Sequence, residues 1–255
     1  MKSPLAYMGG KSRLVKTIVP IIHRTPHTCY CEPFCSAAWI LFGKDPAMSE
    51  VEVINDADGE LVSFWRVIKK HYLPFVDLYR HAIVSRQMFE WHKMERPETL
   101  TDLERAARYY YLQRLTFRGK VKGRTFGYSP TCAPKLDIGS IQSDLLEVHQ
   151  RLSRVTVEHL DGFDCIRRYD RPGTLFFIDP PYLDVSGYEV PFPAERYSEL
   201  AEVLAGVSGR FLLTLNNHPR IRETFKRFTI TEIATSYSTG LNHKQRVTEL
   251  LIRNR

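Results

Sequence analysis

The feature that most constrains this chain is a run of four apolar residues, Leu175, Phe176, Phe177 and Ile178, that stops abruptly at Asp179, Pro180, Pro181 and Tyr182. A strand that is apolar at every position has no solvent face. It belongs inside a sheet covered on both sides, as parallel strands are when helices lie above and below them. The N-terminal pattern agrees. Leu14, Val15, Ile18, Val19 and Ile22 recur at helical spacing, residues 29–34 read as a short strand, 37–42 as an apolar helix start, 51–55 as a strand, and 58 to about 71 as a helix with Leu61, Val62, Trp65 and Ile68 on one face. Strand and helix alternating in this way predict an α/β fold with a mostly parallel, doubly wound sheet.

From about residue 73 to 154 the strand signal nearly vanishes. Thr101 followed by Glu104 is a capping box that opens a helix to about Thr116, and Ile141, Leu145, Leu146 and Leu152 mark another. Between them lies a basic, glycine-punctuated loop with Arg118, Lys120, Lys122 and Arg124. Strand spacing returns at 155–159, 174–178, 211–215, 228–233 and 247–252, the last two placed to form an antiparallel pair across a loop at 239–245. The division predicted is one α/β domain, residues 1–72 plus 155–255, interrupted by a helical insertion, residues 73–154.

Hydrophobic residues at 43% and charged residues at 25% exclude a disordered, collagen-like or coiled-coil chain. No run reaches the length of a membrane span, which predicts a cytoplasmic protein with its five cysteines as free thiols. His23, His27, Cys29, Cys31 and Cys35 crowd together, but no Cys-x-x-Cys pair exists and no metal is expected. The net charge of +7 points to a polyanionic partner, of which nucleic acid is the commonest. Gly10, Lys11 and Ser12 evoke a phosphate-binding loop, but the glycine such a loop needs five residues earlier is Leu5, and no strand leads in.

Ligands of open α/β sheets bind beyond the carboxyl ends of the strands, where Asp179 begins. Two prolines stiffen the backbone and remove two N–H donors, so a carboxylate, a free carbonyl and a flat ring face one site. That set suits a planar ring with an exocyclic amine. Asp179 and the Pro180 carbonyl accept its two N–H bonds and Tyr182 stacks on the ring.

These residues, together with the N-terminal Pro-Leu-Ala-Tyr-Met-Gly-Gly-Lys segment and Cys-Tyr-Cys-Glu-Pro-Phe, resemble the Dam-type DNA adenine-N6 methyltransferases in both wording and order. The resemblance spans nearly the whole chain. It implies a Rossmann-like methyltransferase fold using S-adenosylmethionine, with Tyr7 and Lys11 holding the cofactor, Lys11 near its carboxylate. It further implies that Glu32, Pro33 and Phe34 meet the methionine part, that Asp56 binds the ribose hydroxyls, and that Asp179, Pro180, Pro181 and Tyr182 form the catalytic tetrapeptide. The family's glycines after Glu-Pro-Phe are here Cys35, Ser36, Ala37 and Ala38, which resist unusual φ values and imply altered cofactor packing.

The insertion resembles the family's target-recognition region. Arg114, Phe117 and Arg118 align with the segment at the DNA, with Phe117 as the wedge beside an extruded base and Arg118, Lys120, Lys122 and Arg124 as phosphate or base contacts. The loop departs from the GATC-methylating members, so recognition of GATC does not follow. The expected reaction is transfer of a methyl group to N6 of a flipped adenine in double-stranded DNA by a monomer. A catalytically silent DNA-binding module and an amino-methyltransferase acting on RNA or protein are the alternatives. Trp39, Trp65 and Trp91 read as core or lobe packing, while Asn216, Asn217 and His218 either line the base pocket or cap a helix near Pro219.

Overall fold

The structure is a computed structural model that describes residues 1–238 and 244–254. After a short 3-10 turn at Lys11–Arg13, α1 (Val15–Arg24) leads to β1 (Cys29–Glu32), α2 (Trp39–Gly43), β2 (Val51–Asn55) and α3 (Gly59–Lys70). Next come α4 (Tyr72–Asp77), α5 (Arg86–Met94), α6 (Asp102–Leu115) and α7 (Ile141–Leu152). The sheet resumes with β3 (Val155–Glu158), α8 (Gly162–Tyr169), β4 (Thr174–Ile178), α9 (Glu195–Ala205), β5 (Arg210–Asn216), α10 (Pro219–Thr224), β6 (Thr229–Ser238) and β7 (Lys244–Arg253).

The strand order is β3-β2-β1-β4-β5-β7-β6, parallel throughout except for β7, which runs antiparallel to both β5 and β6. This is the expected α/β sheet with its C-terminal antiparallel hairpin. Of the loop expected at 239–245, residues 239–243 lie outside the described residues, while Lys244 and Gln245 belong to β7. β4 is buried at all five positions, as its apolar run requires.

Two apolar layers flank the sheet. On one side α1, α2 and α3 pack against it, and α4, α6 and α7 extend the same core outward through Phe64, Phe75 and Tyr110. On the other lie α8, α9 and α10, around Phe163, Tyr197 and Ile221. The insertion's helices therefore share a core with α3.

Both halves of the Thr101 capping box are made, Glu104 N donating to the Thr101 hydroxyl and Thr101 N to Glu104. At the start of β2, next to the edge strand β3, Glu52 is buried with two cations, Lys44 Nζ at 2.8 Å and the fork of Arg151 from α7 at 2.5 and 2.7 Å. Trp65 is fully buried and Trp39 partly so, as packing predicts. Trp91 departs from that expectation. It is 51% exposed on α5, which turns Phe89 inward instead. No helix among the described residues is long and apolar enough to cross a membrane.

Candidate active site

β1 and β4 are neighbours, yet the chain leaves β1 toward β2 and β4 toward β5. Where connections diverge, the loops beyond the carboxyl ends part and open a crevice. Its walls are the turns after β1, β2, β3 and β4, closed on one side by the segment around Tyr188 and Phe192 and on the other by Tyr7.

The strand predicted at 29–34 ends at Glu32, since Pro33 has no N–H for the ladder and its carbonyl accepts instead from the Asn55 amide at 2.8 Å. Glu32 is buried, accepts from the Tyr30 hydroxyl at 2.8 Å, and is pushed up to about 8 by burial. Phe34 lies across the turn after β3. A Cβ at Gly162 would sit 2.2 Å from its ring, so only glycine admits this ring.

The residues that replace the family's glycines keep a glycine-like backbone. Ser36 has φ 45° and Ala38 φ 50°, both left-handed, which is why α2 starts at Trp39 rather than at 37 as its apolar pattern suggests. The turn aims Ser36 N at Asp56 Oδ2, 2.9 Å away, while Asp58 N meets Oδ1 at 3.0 Å. Ser36→Gly is expected to relieve this strain and raise stability by about 0.5–1 kcal/mol, or roughly 1–4 °C in Tm. Thermal unfolding measures it, and a lower Tm would contradict the strain.

Asp56 and Asp58 both reach the crevice. Burial pushes the Asp56 carboxyl up against the opposing backbone N–H bonds, and burial with the Asp56 charge pushes Asp58 up to about 6. Asp58 caps α3 through Oδ1, while its Oδ2 is buried without a hydrogen-bond partner among the described residues. Two adjoining acids, one of them with an oxygen short of a donor, suit a ligand that offers hydroxyls. Tyr7 stands beside them, its phenol driven up by burial and by Tyr109 and the two carboxylates.

At the end of β4, Asp179 Oδ1 accepts from Lys11 Nζ at 2.7 Å and from the Thr214 hydroxyl at 2.8 Å. Lys11 also donates to Gly9 O at 3.0 Å and lies 4.5 Å from the centroid of the Tyr182 ring. Lys11 thus meets the protein's own carboxylate. Burial pushes the Asp179 carboxyl above its usual range, Lys11 opposes that shift, and Glu249 adds to it. The Pro181 carbonyl accepts from Tyr197 at 2.7 Å, and Tyr182 N donates to the Tyr188 hydroxyl at 3.3 Å.

Tyr7, Phe34, Asp56, Asp179 and Pro181 line one crevice, and Lys11 and Glu32 line an adjoining cavity that shares Phe34, Ser36 and Asp179 with it, while Pro33, Pro180 and Tyr182 belong to the same turns without lining either. Sequence reasoning passed over Asp161, whose carboxylate is held by Arg196 Nη2 at 2.7 and 2.9 Å where the pocket meets α8. It also passed over Thr214, a polar residue inside an apolar strand, and Glu249, a buried acid just before the apolar run Leu250, Leu251 and Ile252. Asn216 bonds Leu183 through both ends of its amide, whereas the cap of α10 is His218.

The insertion's basic residues divide. Phe117, 46% exposed, and Arg118 project together, Arg118 with φ 58° and its guanidinium 5.1 Å from the Phe117 ring. Lys122 is exposed and Lys120 half-buried. Arg114 instead donates to the carbonyls of Pro4 and Lys135, and Arg124 to Gln113 at 3.1 Å. Gln113 donates to Ala6 O, and Gly119 packs so closely on Ala6 and Tyr7 that a Cβ would fall 2.8 Å from Tyr7 N. The N-terminal segment thereby links the basic loop to the crevice.

Comparison with known proteins places this arrangement in context. The model of the D12 class N6 adenine-specific DNA methyltransferases matches residues 7–239. The type II methyltransferase M.CviBI of Paramecium bursaria Chlorella virus NC1A is 26% identical over 268 residues, covering 100% of both chains. M1.LlaDCHI, a type II methyltransferase of Lactococcus lactis subsp. cremoris, is 21% identical and covers 97% of this chain and 93% of its own. Among solved structures, that of SMU.472 complexed with SAH aligns over 96% of this chain and 52% of its own at 11% identity and a TM-score of 0.37, so the chain spans about half of its length.

Proposed function

The chain belongs to the D12 class of N6 adenine-specific DNA methyltransferases, and from that membership we propose how its residues bring about methyl transfer to a flipped adenine in duplex DNA. The observation that carries the reading is the Asp179 carboxylate, fixed by Lys11 and Thr214 at the end of the central strand beside the Tyr182 ring.

S-adenosylmethionine, when bound, supplies a methyl group on a sulfonium, an electrophile with its own leaving group. The crevice fits such a molecule. The Asp56 and Asp58 carboxylates, one with an unpartnered buried oxygen, suit ribose hydroxyls, and Phe34 and Tyr7 would bound the rest, with Glu32 lining the adjoining cavity. The chain's own work is done on the adenine. An N6 amine is a weak nucleophile because its lone pair is conjugated with the ring. Accepting its two N–H bonds at Asp179 and the Pro180 carbonyl draws that lone pair out of conjugation and aims it. Tyr182 holds the ring in plane by stacking, and the two prolines keep the acceptors from rearranging. Most of the rate then comes from orientation and a preset field.

A duplex hides N6, so the base must leave the stack. Phe117 is the wedge that fills its place, with Arg118, Lys120 and Lys122 on the phosphates; Arg114 and Arg124 shape the loop, and reach DNA only by exchanging their present carbonyl and amide partners. Phe117→Ala is expected to fold normally yet slow methylation of paired duplex about tenfold or more, with recovery when the target adenine faces a mismatch, where extrusion is already easy. Equal loss on both substrates would rule the wedge out.

The direct test is transfer of labelled methyl from S-adenosylmethionine to unmethylated duplex DNA, followed by nucleoside analysis. N6-methyladenine is the expected product. No incorporation on DNA of diverse sequence, with the protein folded, would overturn the proposal.

A further inference from the structure

In an antiparallel pair, opposed residues share a face and every second residue returns to it. Asn216 of β5 is opposite Glu249 of β7, so Thr214, Asn216 and Glu249 form one row on the face toward the crevice. Each member bonds a different part of the loop after β4. Thr214 takes Asp179 Oδ1 at 2.8 Å, the Asn216 amide takes the backbone of Leu183 at 3.2 and 3.0 Å, and Glu249 Oε2 accepts from the Tyr182 hydroxyl at 2.5 Å.

We propose that Glu249 is a positioning residue for methyl transfer, acting through the Tyr182 hydroxyl to fix the plane of the ring against which the target adenine lies. The proposal rests on the role given to Tyr182 above. A tyrosine ring is tethered to the backbone at one end and can swing about two torsions. A bond at the hydroxyl, the far end of the ring, adds a second fixed point and leaves one orientation. The contact is at the short end of the range for an O–H···O hydrogen bond. Its anchor is rigid as well. Glu249 is 2% exposed in a strand hydrogen-bonded on both sides, and a carboxylate is expensive to bury unless it is paired. Its neighbour along that face, Leu251, is apolar and buried, so the packing there calls for no acid.

Glu249→Gln keeps an acceptor for the hydroxyl, Glu249→Leu removes it, and Tyr182→Phe removes the donor. With wild-type methyl transfer as the control, kcat is expected to fall about tenfold or more in Glu249→Leu and in Tyr182→Phe, and to stay within about threefold in Glu249→Gln. KM for S-adenosylmethionine should hold in all three. Tyr182→Phe combined with Glu249→Leu should lose no more than either alone, since both delete one bond. Losses that multiply, or a Gln variant as impaired as the Leu variant, would overturn the proposal. If Glu249→Leu fails to fold, Tyr182→Phe decides it, because an unchanged kcat without the hydroxyl means that this bond does not position the ring for transfer. An inactive wild type would instead count against the methyltransferase reading itself.

Discussion

Asp179→Ala is expected to reduce methyl transfer to DNA by about a thousandfold, the scale on which removal of a preset hydrogen-bonding group lowers kcat. The carboxylate accepts from the amine whose lone pair must be freed, and no neighbouring acceptor stands in the same place. Alanine also leaves Lys11, whose side chain is 5% exposed, without its counter-ion, so Asp179→Asn should accompany it. Asparagine keeps the shape and can still accept from Thr214, yet it carries no charge. Both variants should bind S-adenosylmethionine in equilibrium titration while losing turnover. Substantial turnover in both would refute the assignment. Because burial raises the Asp179 carboxyl while Lys11 pulls it down, kcat/KM should fall on the acid side at a pH above the ordinary carboxylate range.

The second large effect is on stability. Glu52→Ala is expected to cost about 3–5 kcal/mol, the range for breaking a buried ion pair, because it strands Lys44 and Arg151 in a region closed to water. At this chain length that is roughly 10 °C in Tm. Replacing all three residues by apolar ones of similar volume should recover much of the loss, since the charges are costly to bury in the first place. Denaturant unfolding of both variants is the measurement. A loss below about 1 kcal/mol for the single change would mean that the triad is wetter than its burial implies.

Much of the fold was legible because its strands are apolar in short runs and its helices in stripes. Residues 175–178 announced a central strand, and Thr101 with Glu104 announced where α6 begins. The crevice was legible to the extent that its parts lie at strand ends. What could not be read is where side chains meet across the sheet. Thr214 is a polar residue in an apolar strand and Glu249 an acid next to an apolar run, but only the order β4-β5-β7 brings them to the loop after β4. Arg114 and Arg124 looked like their basic neighbours because a guanidinium bound to a carbonyl has the same sequence signature as one facing solvent. Trp91 shows the converse, helical spacing without burial. Ser36 and Ala38 keep a left-handed turn that their side chains disfavour, which propensity alone argues against.

The sheet is interrupted between two strands that lie side by side. Glu52 of β2 pairs with Val155 of β3, with α3 to α7 in between. Closing a flexible loop of about 100 residues costs about 4 kcal/mol in chain entropy beyond a constant term. Once α3, α6 and α7 have packed together, that span is a short, nearly rigid bridge, and Arg151 at the end of α7 is already seated beside Glu52. The segment that reads as a DNA-facing appendage is then also what lets the edge strand find its partner, so shortening it to alter recognition acts on the rate at which the sheet closes.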